Sequence, residues 1–152
     1  MSTALTISQK PLRSEIIPVG PARPAKAHPA RVIGLVEAGF PSPAEEELVD
    51  NLSLDEFLIE NREATFLLKV SGDSMTGAGI LPGDMVIVDK GRTPRSGDIV
   101  IAQVDGEWTM KFLRKRGADV ALLAANPKYQ PIRPKEELKV AGVVTAVVRK
   151  YK

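Results

Sequence analysis

Ser74 and Lys111 are the residues of this chain whose types suggest chemistry. Ser74 belongs to the run Ser71-Gly-Asp-Ser-Met75, and Lys111 lies in a later apolar run. A serine hydroxyl is a weak nucleophile until a base removes its proton. The chain has no cysteine, and its one histidine, His28, stands in a segment rich in proline and alanine. Acyl chemistry in this chain would therefore need a lysine as its base.

A lysine accepts a proton only as the neutral amine, and an apolar setting favours that form. Met110, Phe112 and Leu113 flank Lys111 and offer such a setting. A tight turn around Ser74 would aim backbone N–H groups, those of Asp73 and Ser74, at a developing oxyanion. Taken singly, however, a serine after glycine is most often a turn residue, and a lysine in a strand is most often solvated.

The composition excludes several other kinds of site. Without cysteine there is no disulfide, thiolate nucleophile or cysteine-bound zinc, and one histidine makes a histidine metal site improbable. No metal and no cofactor are therefore expected. The 152 residues are 43% hydrophobic and 26% charged, values typical of a soluble globular domain. No run resembles a transmembrane helix or a signal peptide, which predicts a cytoplasmic protein without membrane contact.

The N-terminal 38 residues differ from the rest in charge and in proline content. They carry five basic and two acidic side chains, a net charge of +3, whereas residues 39–152 carry −1. Five prolines favour extended conformations over helix. This segment is predicted to be a flexible arm, and the role of residues 1–31 stays open. The body is not basic enough in bulk to predict direct, sequence-specific DNA binding.

The remaining pattern predicts two short helices followed by strands. Ser42-Pro43 with Glu45 and Ser53 with Glu56 are helix-capping signatures, and the spacing of Leu54, Phe57 and Leu58 predicts one buried helical face. Apolar and β-branched runs separated by turn residues predict six strands, at Thr65–Ser71, Met85–Asp89, Asp98–Val104, Trp108–Leu113, Val120–Ala124 and Val140–Val148. The predicted fold is mainly β, a bent antiparallel domain with two short N-terminal helices.

Five blocks of sequence, in order, carry a family resemblance. They lie at residues 71–75, 79–89, 97–102, 105–111 and 125–132. They resemble the LexA/UmuD family of self-cleaving serine peptidases, and the run Ala38-Gly-Phe-Pro-Ser-Pro-Ala44 is similar to the cleavage region of its UmuD-like members. The resemblance implies a bent β peptidase domain in which Ser74 is the nucleophile, Lys111 is the base, and the bond between Ala38 and Gly39 is cut.

The resemblance also implies a biological role and partners. A RecA–single-stranded DNA filament would act as coprotease during the SOS response to DNA damage. Residues 1–38 would be removed, and residues 39–152 would form the peptidase and dimerisation domain. The trimmed homodimer would then serve a UmuC-type, error-prone polymerase in translesion synthesis. Whether the cut occurs within one chain or between two is left open.

Three other readings compete with this one. Signal peptidase also combines Ser-Met with a lysine base, but it would require a membrane anchor. A LexA-like repressor would require a helix-turn-helix module, for which residues 1–31 are too short and too rich in proline. A non-catalytic dimeric accessory protein of a polymerase would retain Ser74 and Lys111 only as relics.

Overall fold

The computed structural model describes the backbone of residues 16–21, 30–32 and 50–152, and the side chains from Ser53 onward. The chain divides into two compact units, one of residues 24–60 and one that joins residues 1–23 to 61–152. No helix in the described ranges is long and apolar enough to cross a membrane.

The smaller unit contains a short two-stranded sheet and a helix. Strand β2 (Ala30–Val32) pairs antiparallel with β3 (Asp50–Leu52), and helix α1 (Leu54–Leu58) follows. Ser53 is the N-cap of α1, as predicted, although its side chain makes no capping hydrogen bond. The first predicted helix, at Ser42-Pro43, lies outside the described residues.

The prediction that α1 has one buried face is wrong. Leu54 and Phe57 are 61% and 65% exposed, and no residue of the helix is buried. They have the spacing of a shared face, but the helix has only five residues and ends at Leu58. Such a short helix presents too little of an apolar stripe to pack as an amphipathic core helix does.

The larger unit is built on one antiparallel sheet, which confirms the mainly β prediction. Its order in the described ranges is β1-β4-β5-β9-β6-β7-β8. These strands are β1 (Ile16–Pro21), β4 (Thr65–Val70), β5 (Met85–Asp89), β6 (Ile99–Val104), β7 (Glu107–Arg116), β8 (Asp119–Leu123) and β9 (Leu138–Val148). The last six correspond to the six predicted strands, whereas β1 was not predicted.

Two apolar clusters cover opposite faces of this sheet, because successive strand residues point to opposite sides. On β6, Ile101 packs into a cluster with Phe66, Leu68 and Met110, which we call the first core. Val100, Ala102 and Val104 pack into the second core with Leu113 and Leu122. Strand β9 crosses the middle of the sheet and shifts register once against β5 and once against β6. Such bulges bend a sheet.

A close approach at Gly142 accompanies one of these shifts. A Cβ atom on Gly142 would lie 2.6 Å from Val88 Cγ1 and 3.0 Å from the backbone oxygen of Asp89. Only glycine lets β9 approach β5 this closely.

An ion pair joins the end of β9 to the turn before β5. Asp84, 2% exposed, accepts hydrogen bonds of 2.7 Å from Arg149 Nε and Nη2 and one of 2.8 Å from the Leu81 N–H. Arg149 Nη2 also donates to the backbone oxygen of Gly79 at 2.7 Å. The pKa of Asp84 is lowered, mainly by the hydrogen bonds from Arg149, although burial by itself would raise it.

We predict that Asp84→Asn lowers the free energy of unfolding at pH 7 by about 2 kcal/mol, because it removes charge-assisted hydrogen bonds. The pKa of Asp84 is lower in the folded chain than in the unfolded one. Its contribution is therefore complete above pH ~4, the range of an unfolded aspartate, and is lost as the pH falls through the folded value. Urea unfolding of both proteins at pH 7 and pH 3 measures this difference.

Glu136→Gln, on an exposed loop, is the control and should leave the urea midpoint unchanged at both pH values. A deficit of Asp84→Asn that is equally large at pH 3 and pH 7 would show that the charge of Asp84 does not stabilise the fold.

Candidate active site

Ser74 lies in the long connection between β4 and β5. The connection is closed at its base, where the Val70 N–H donates to the Asp84 oxygen at 2.8 Å and the Gly83 N–H to the Val70 oxygen at 2.7 Å. Met75 is 1% exposed and packs into the first core, and the short 3₁₀ turn Thr76–Ala78 follows it. Because Met75 is anchored, the neighbouring Ser74 is held in one place, where it is 1% exposed.

Lys111 lies on β7, beside a second anchored methionine. Met110 packs into the first core, and Lys111 points to the opposite face of the strand, where it is 3% exposed. Phe112 packs against the first core as Met110 does. The predicted apolar flank at Phe112 therefore faces away from Lys111, because adjacent strand residues alternate.

The fold brings Ser74 and Lys111 into direct contact. Lys111 Nζ lies 2.9 Å from Ser74 Oγ, and it also donates to Thr109 Oγ1 at 2.7 Å and to the Met110 oxygen at 3.2 Å. A neutral amine at this distance can instead accept the hydroxyl proton, as a general base does. The geometry therefore permits the activation of Ser74 by Lys111.

A loop after β8 braces the segment that carries Ser74. The Ala125 N–H donates to the Ser74 oxygen at 2.8 Å, and the Gly77 N–H donates to the Ala125 oxygen at 2.6 Å. Asn126 Nδ2 donates to the Asp73 oxygen at 2.9 Å. A Cβ atom on Gly77 would lie 2.4 Å from the Ala125 oxygen, so the brace requires glycine there.

Tyr129 contributes to the site from the same loop. Its hydroxyl donates to the Asp73 carboxylate, to which Lys128 Nζ also donates at 3.3 Å. The hydrogen bond from Tyr129 and then that from Lys128 lower the pKa of Asp73. The ring of Tyr129 lies 5.9 Å from Lys111 Nζ, at the outer limit of a cation–π contact. Tyr129 therefore contacts both the neighbour of Ser74 and Lys111.

Sequence reasoning assigned no role to the residues of this brace. The block at residues 125–132 contributed to the family resemblance, but the hydrogen bonds of Asn126 and Tyr129 join positions more than fifty residues apart. The turn at Asn126-Pro127 could be predicted from the sequence, but the residues that it contacts in the fold could not.

An open cleft adjoins Lys111. Its lining combines apolar, aromatic and acidic side chains and consists of Val104, Asp105, Glu107, Trp108, Thr109, Lys111, Tyr129 and Ile132. Lys111 and Tyr129 both belong to this lining, so the cleft reaches the site from the side of Lys111.

The other predicted site residues are placed as follows. Asp73 and Ser74, whose N–H groups were predicted to bind an oxyanion, lie at the turn beside Lys111, and their role stays a prediction. Ala38 and Gly39, the predicted cleavage site, lie outside the described residues, as does His28. In the described part of the chain, no group of three or more His, Cys, Asp or Glu side chains is arranged to hold a metal ion.

Comparison with known proteins agrees with this architecture. The chain is 46% identical over 113 residues to Protein SamA of Salmonella typhimurium, which covers 74% of this chain and 79% of SamA. It is 41% identical over 116 residues to Protein ImpA of Salmonella typhimurium and of Escherichia coli, covering 75% of this chain and 79% of ImpA. Residues 31–145 match the Peptidase S24-like family. This match confirms the resemblance found in the five sequence blocks: the chain belongs to the Peptidase S24-like family.

Proposed function

We propose that this protein is a self-cleaving serine peptidase in which Ser74 is the nucleophile and Lys111 is its general base. The observation that carries the proposal is the 2.9 Å separation between the buried Ser74 Oγ and Lys111 Nζ. At this distance the Ser74 hydroxyl and the Lys111 nitrogen are placed for direct proton transfer. Membership of a peptidase family supports the same chemistry.

The reaction follows from these two groups. Ser74 Oγ attacks the carbonyl carbon of Ala38 while its proton passes to Lys111 Nζ. The N–H groups of Asp73 and Ser74 donate to the oxyanion that forms. When the C–N bond breaks, Lys111 returns the proton to the Gly39 nitrogen, which leaves as an amine. Water, activated by Lys111, then hydrolyses the ester between Ala38 and Ser74 and frees the serine.

Ala38-Gly39 is the proposed substrate bond because these residues place almost no side-chain bulk at the reacting carbonyl. An extended segment docks through backbone hydrogen bonds, and small pockets then select its side chains. Val36, two residues before Ala38, would supply an apolar side chain to such a pocket. The cleft beside Lys111, with apolar lining at Val104 and Ile132, offers a surface for it.

The biological role that we propose is SOS mutagenesis. A RecA–single-stranded DNA filament would stimulate the cut, and the trimmed homodimer, residues 39–152, would be an accessory subunit of a UmuC-type translesion polymerase. A cytoplasmic location goes with this role, because the filament and the polymerase act on chromosomal DNA. Support comes from the family resemblance of the five blocks and of the segment 38–44.

The first prediction from this function concerns the two reacting groups. Ser74→Ala and Lys111→Ala should each slow self-cleavage by at least about a thousandfold, and the double variant should be no worse, because the residues act as one unit. Intact mass after incubation with activated RecA filament measures the loss of the arm.

The chain offers matched controls for both positions. Ser71→Ala changes a serine of the same loop and should leave cleavage intact. Lys111→Arg keeps a cation that does not deprotonate in proteins and should be inactive. If Ser74→Ala still loses its arm in the absence of a contaminating protease, Ser74 is not the nucleophile. A wild-type chain that stays intact with active filament would favour the non-catalytic accessory protein.

The second prediction concerns pH. Because Lys111 takes up a proton only as the neutral amine, the rate of spontaneous cleavage should rise as the pH increases from 6 to 10. The rate is measured by intact mass, and circular dichroism at each pH reports that the fold is retained. A rate that does not change over this range, with the fold intact, would count against lysine as the base.

The third prediction locates the cut. The new N-terminus should begin Gly39-Phe40-Pro41, as read by N-terminal sequencing. Gly39→Glu should block the cut, because a bulky charge would have to be desolvated beside Ser74. Mixing the blocked protein with a Ser74→Ala partner tests whether one chain can cut another, since the blocked protein keeps its own Ser74 and Lys111: loss of the partner's arm would show cleavage in trans. A different N-terminus would refute the assignment of the bond and leave the catalyst standing.

A further inference from the structure

Strand β1 lies outside residues 31–145, the part of the chain that matches the peptidase family. It pairs antiparallel with β4, and without it β4 would be the edge of the sheet. Cα atoms of β1 and β7 also come within 8 Å of each other. The arm segment Ile16–Pro21 thus adjoins both the strand that leads to Ser74 and the strand that carries Lys111.

The backbone of β4 shows which of its residues can bond to β1. The N–H and C=O of Val70 are directed toward Asp84 and Gly83, on the β5 side. The backbone N–H and C=O groups of successive residues in an antiparallel strand point alternately to the two neighbouring strands. Those of Leu68 and Phe66 therefore point toward β5, as those of Val70 do, and those of Leu67 and Lys69 point toward β1. The outer edge of β4 therefore presents the backbone groups of Leu67 and Lys69.

The two prolines of β1 stand opposite residues of β4 whose backbone N–H and C=O groups point toward β5 and not toward β1. Pro18 is the partner of Leu68 and Pro21 is the partner of Phe66, so neither proline is required to donate to β4. Ile17 and Gly20, which do have an N–H, are opposite Lys69 and Leu67. Each residue type in β1 thus suits its position in the ladder.

A register shift makes this arrangement possible. The prolines are three residues apart, and in a regular strand this odd spacing would direct one backbone nitrogen toward β4 and the other away from it. The register shift between Pro18 and Gly20 leaves one residue of β1 without a partner, so both proline nitrogens are directed away from β4. The outer side of β1 then lacks N–H groups at both positions, which hinders the addition of a further strand.

We propose that the outer edge of β4 is a binding site for an extended peptide and that its ligand is the segment Ile16–Pro21 of the same chain. We further propose, resting on the function above, that the cut between Ala38 and Gly39 turns this segment into a dissociable ligand. A tethered segment is held at an effective concentration of about millimolar. The cut removes this covalent tether, and the released residues 1–38 are then held only by the pairing of β1 with β4 and of β2 with β3, both of which can dissociate. Occupancy of the β4 edge then depends on protein concentration.

The pairing is tested in the full chain carrying Ser74→Ala, so that no self-cleavage intervenes. Ile17→Pro removes an N–H opposite Lys69, whereas Ile16→Pro changes the same residue type opposite Val70, where no bond to β4 is made. Amide hydrogen exchange of Leu67 and Lys69 should accelerate by at least about tenfold in Ile17→Pro only. The Leu68 and Val70 amides, bonded on the β5 side, should stay protected and report an intact fold.

If both variants accelerate Leu67 and Lys69, or neither does, the β4 edge does not bind the segment in this register. Unprotected Leu68 and Val70 in Ile17→Pro would signal unfolding. An added peptide of residues 12–24 then decides the matter, since it should restore the protection of Leu67 and Lys69 in the Ile17→Pro protein only if the site exists.

The effect of the cut is tested with a recognition sequence for an added protease placed within residues 33–38 of the Ser74→Ala chain. After the cut, at micromolar protein, Leu67 and Lys69 should lose protection, and excess peptide of residues 12–24 should restore it. The same peptide with Ile17→Pro should not. Protection that survives the cut and dilution overturns the dissociable ligand. Because Ser74 takes no part, a failure of self-cleavage leaves this result unaffected.

Discussion

The contact between Ser74 Oγ and Lys111 Nζ is the constraint on which the site depends. Each residue directly adjoins a methionine of the first core, Met75 and Met110, both 1% exposed. A change in how the two methionines pack would move the nucleophile relative to the base, and catalytic geometry tolerates displacements of well below an ångström. The hydrophobic core thus sets the distance at which the proton would be transferred.

Further contacts keep the connection between β4 and β5 from relaxing. Asp84 and Arg149 fasten its end to the last strand, and the backbone pair of Val70 with Gly83 and Asp84 closes its base. The loop around Ala125 holds its middle through bonds to the Ser74 oxygen and the Gly77 N–H. A buried polar pair is costly unless its geometry is maintained. These restraints explain how a loop residue can occupy a fixed, buried position.

The same sheet connects the proposed catalyst to the N-terminal arm. Strand β4 leads directly into the Ser74 segment, and its other side is paired with Ile16–Pro21. An apolar edge strand without a partner can pair with another chain and aggregate, and proteins commonly prevent this with proline. A segment that would leave with the arm therefore has a structural role while the chain is whole.

Much of the site and fold followed from the sequence alone. Met85–Asp89 coincides with its predicted strand. The lack of cysteine and the single histidine indicated a lysine base, and the family resemblance of the sequence blocks then pointed to Ser74 and Lys111. Apolar alternation and residue chemistry are local properties, readable from neighbours in the chain. The predicted strand Trp108–Leu113 is longer in the structure, because the ladder to β8 continues through Arg114–Arg116, where the pattern is polar.

The tertiary structure alone decided how distant segments meet. Three features have no signature in the surrounding residues: the exposure of Leu54 and Phe57, the brace formed by Asn126 and Tyr129, and the pairing of β1 with β4. Each depends on which surfaces the fold brings together across tens of residues. The sequence by itself determined that a serine and a lysine were available for the chemistry, whereas their contact exists because the sheet brings β7 to the end of β4.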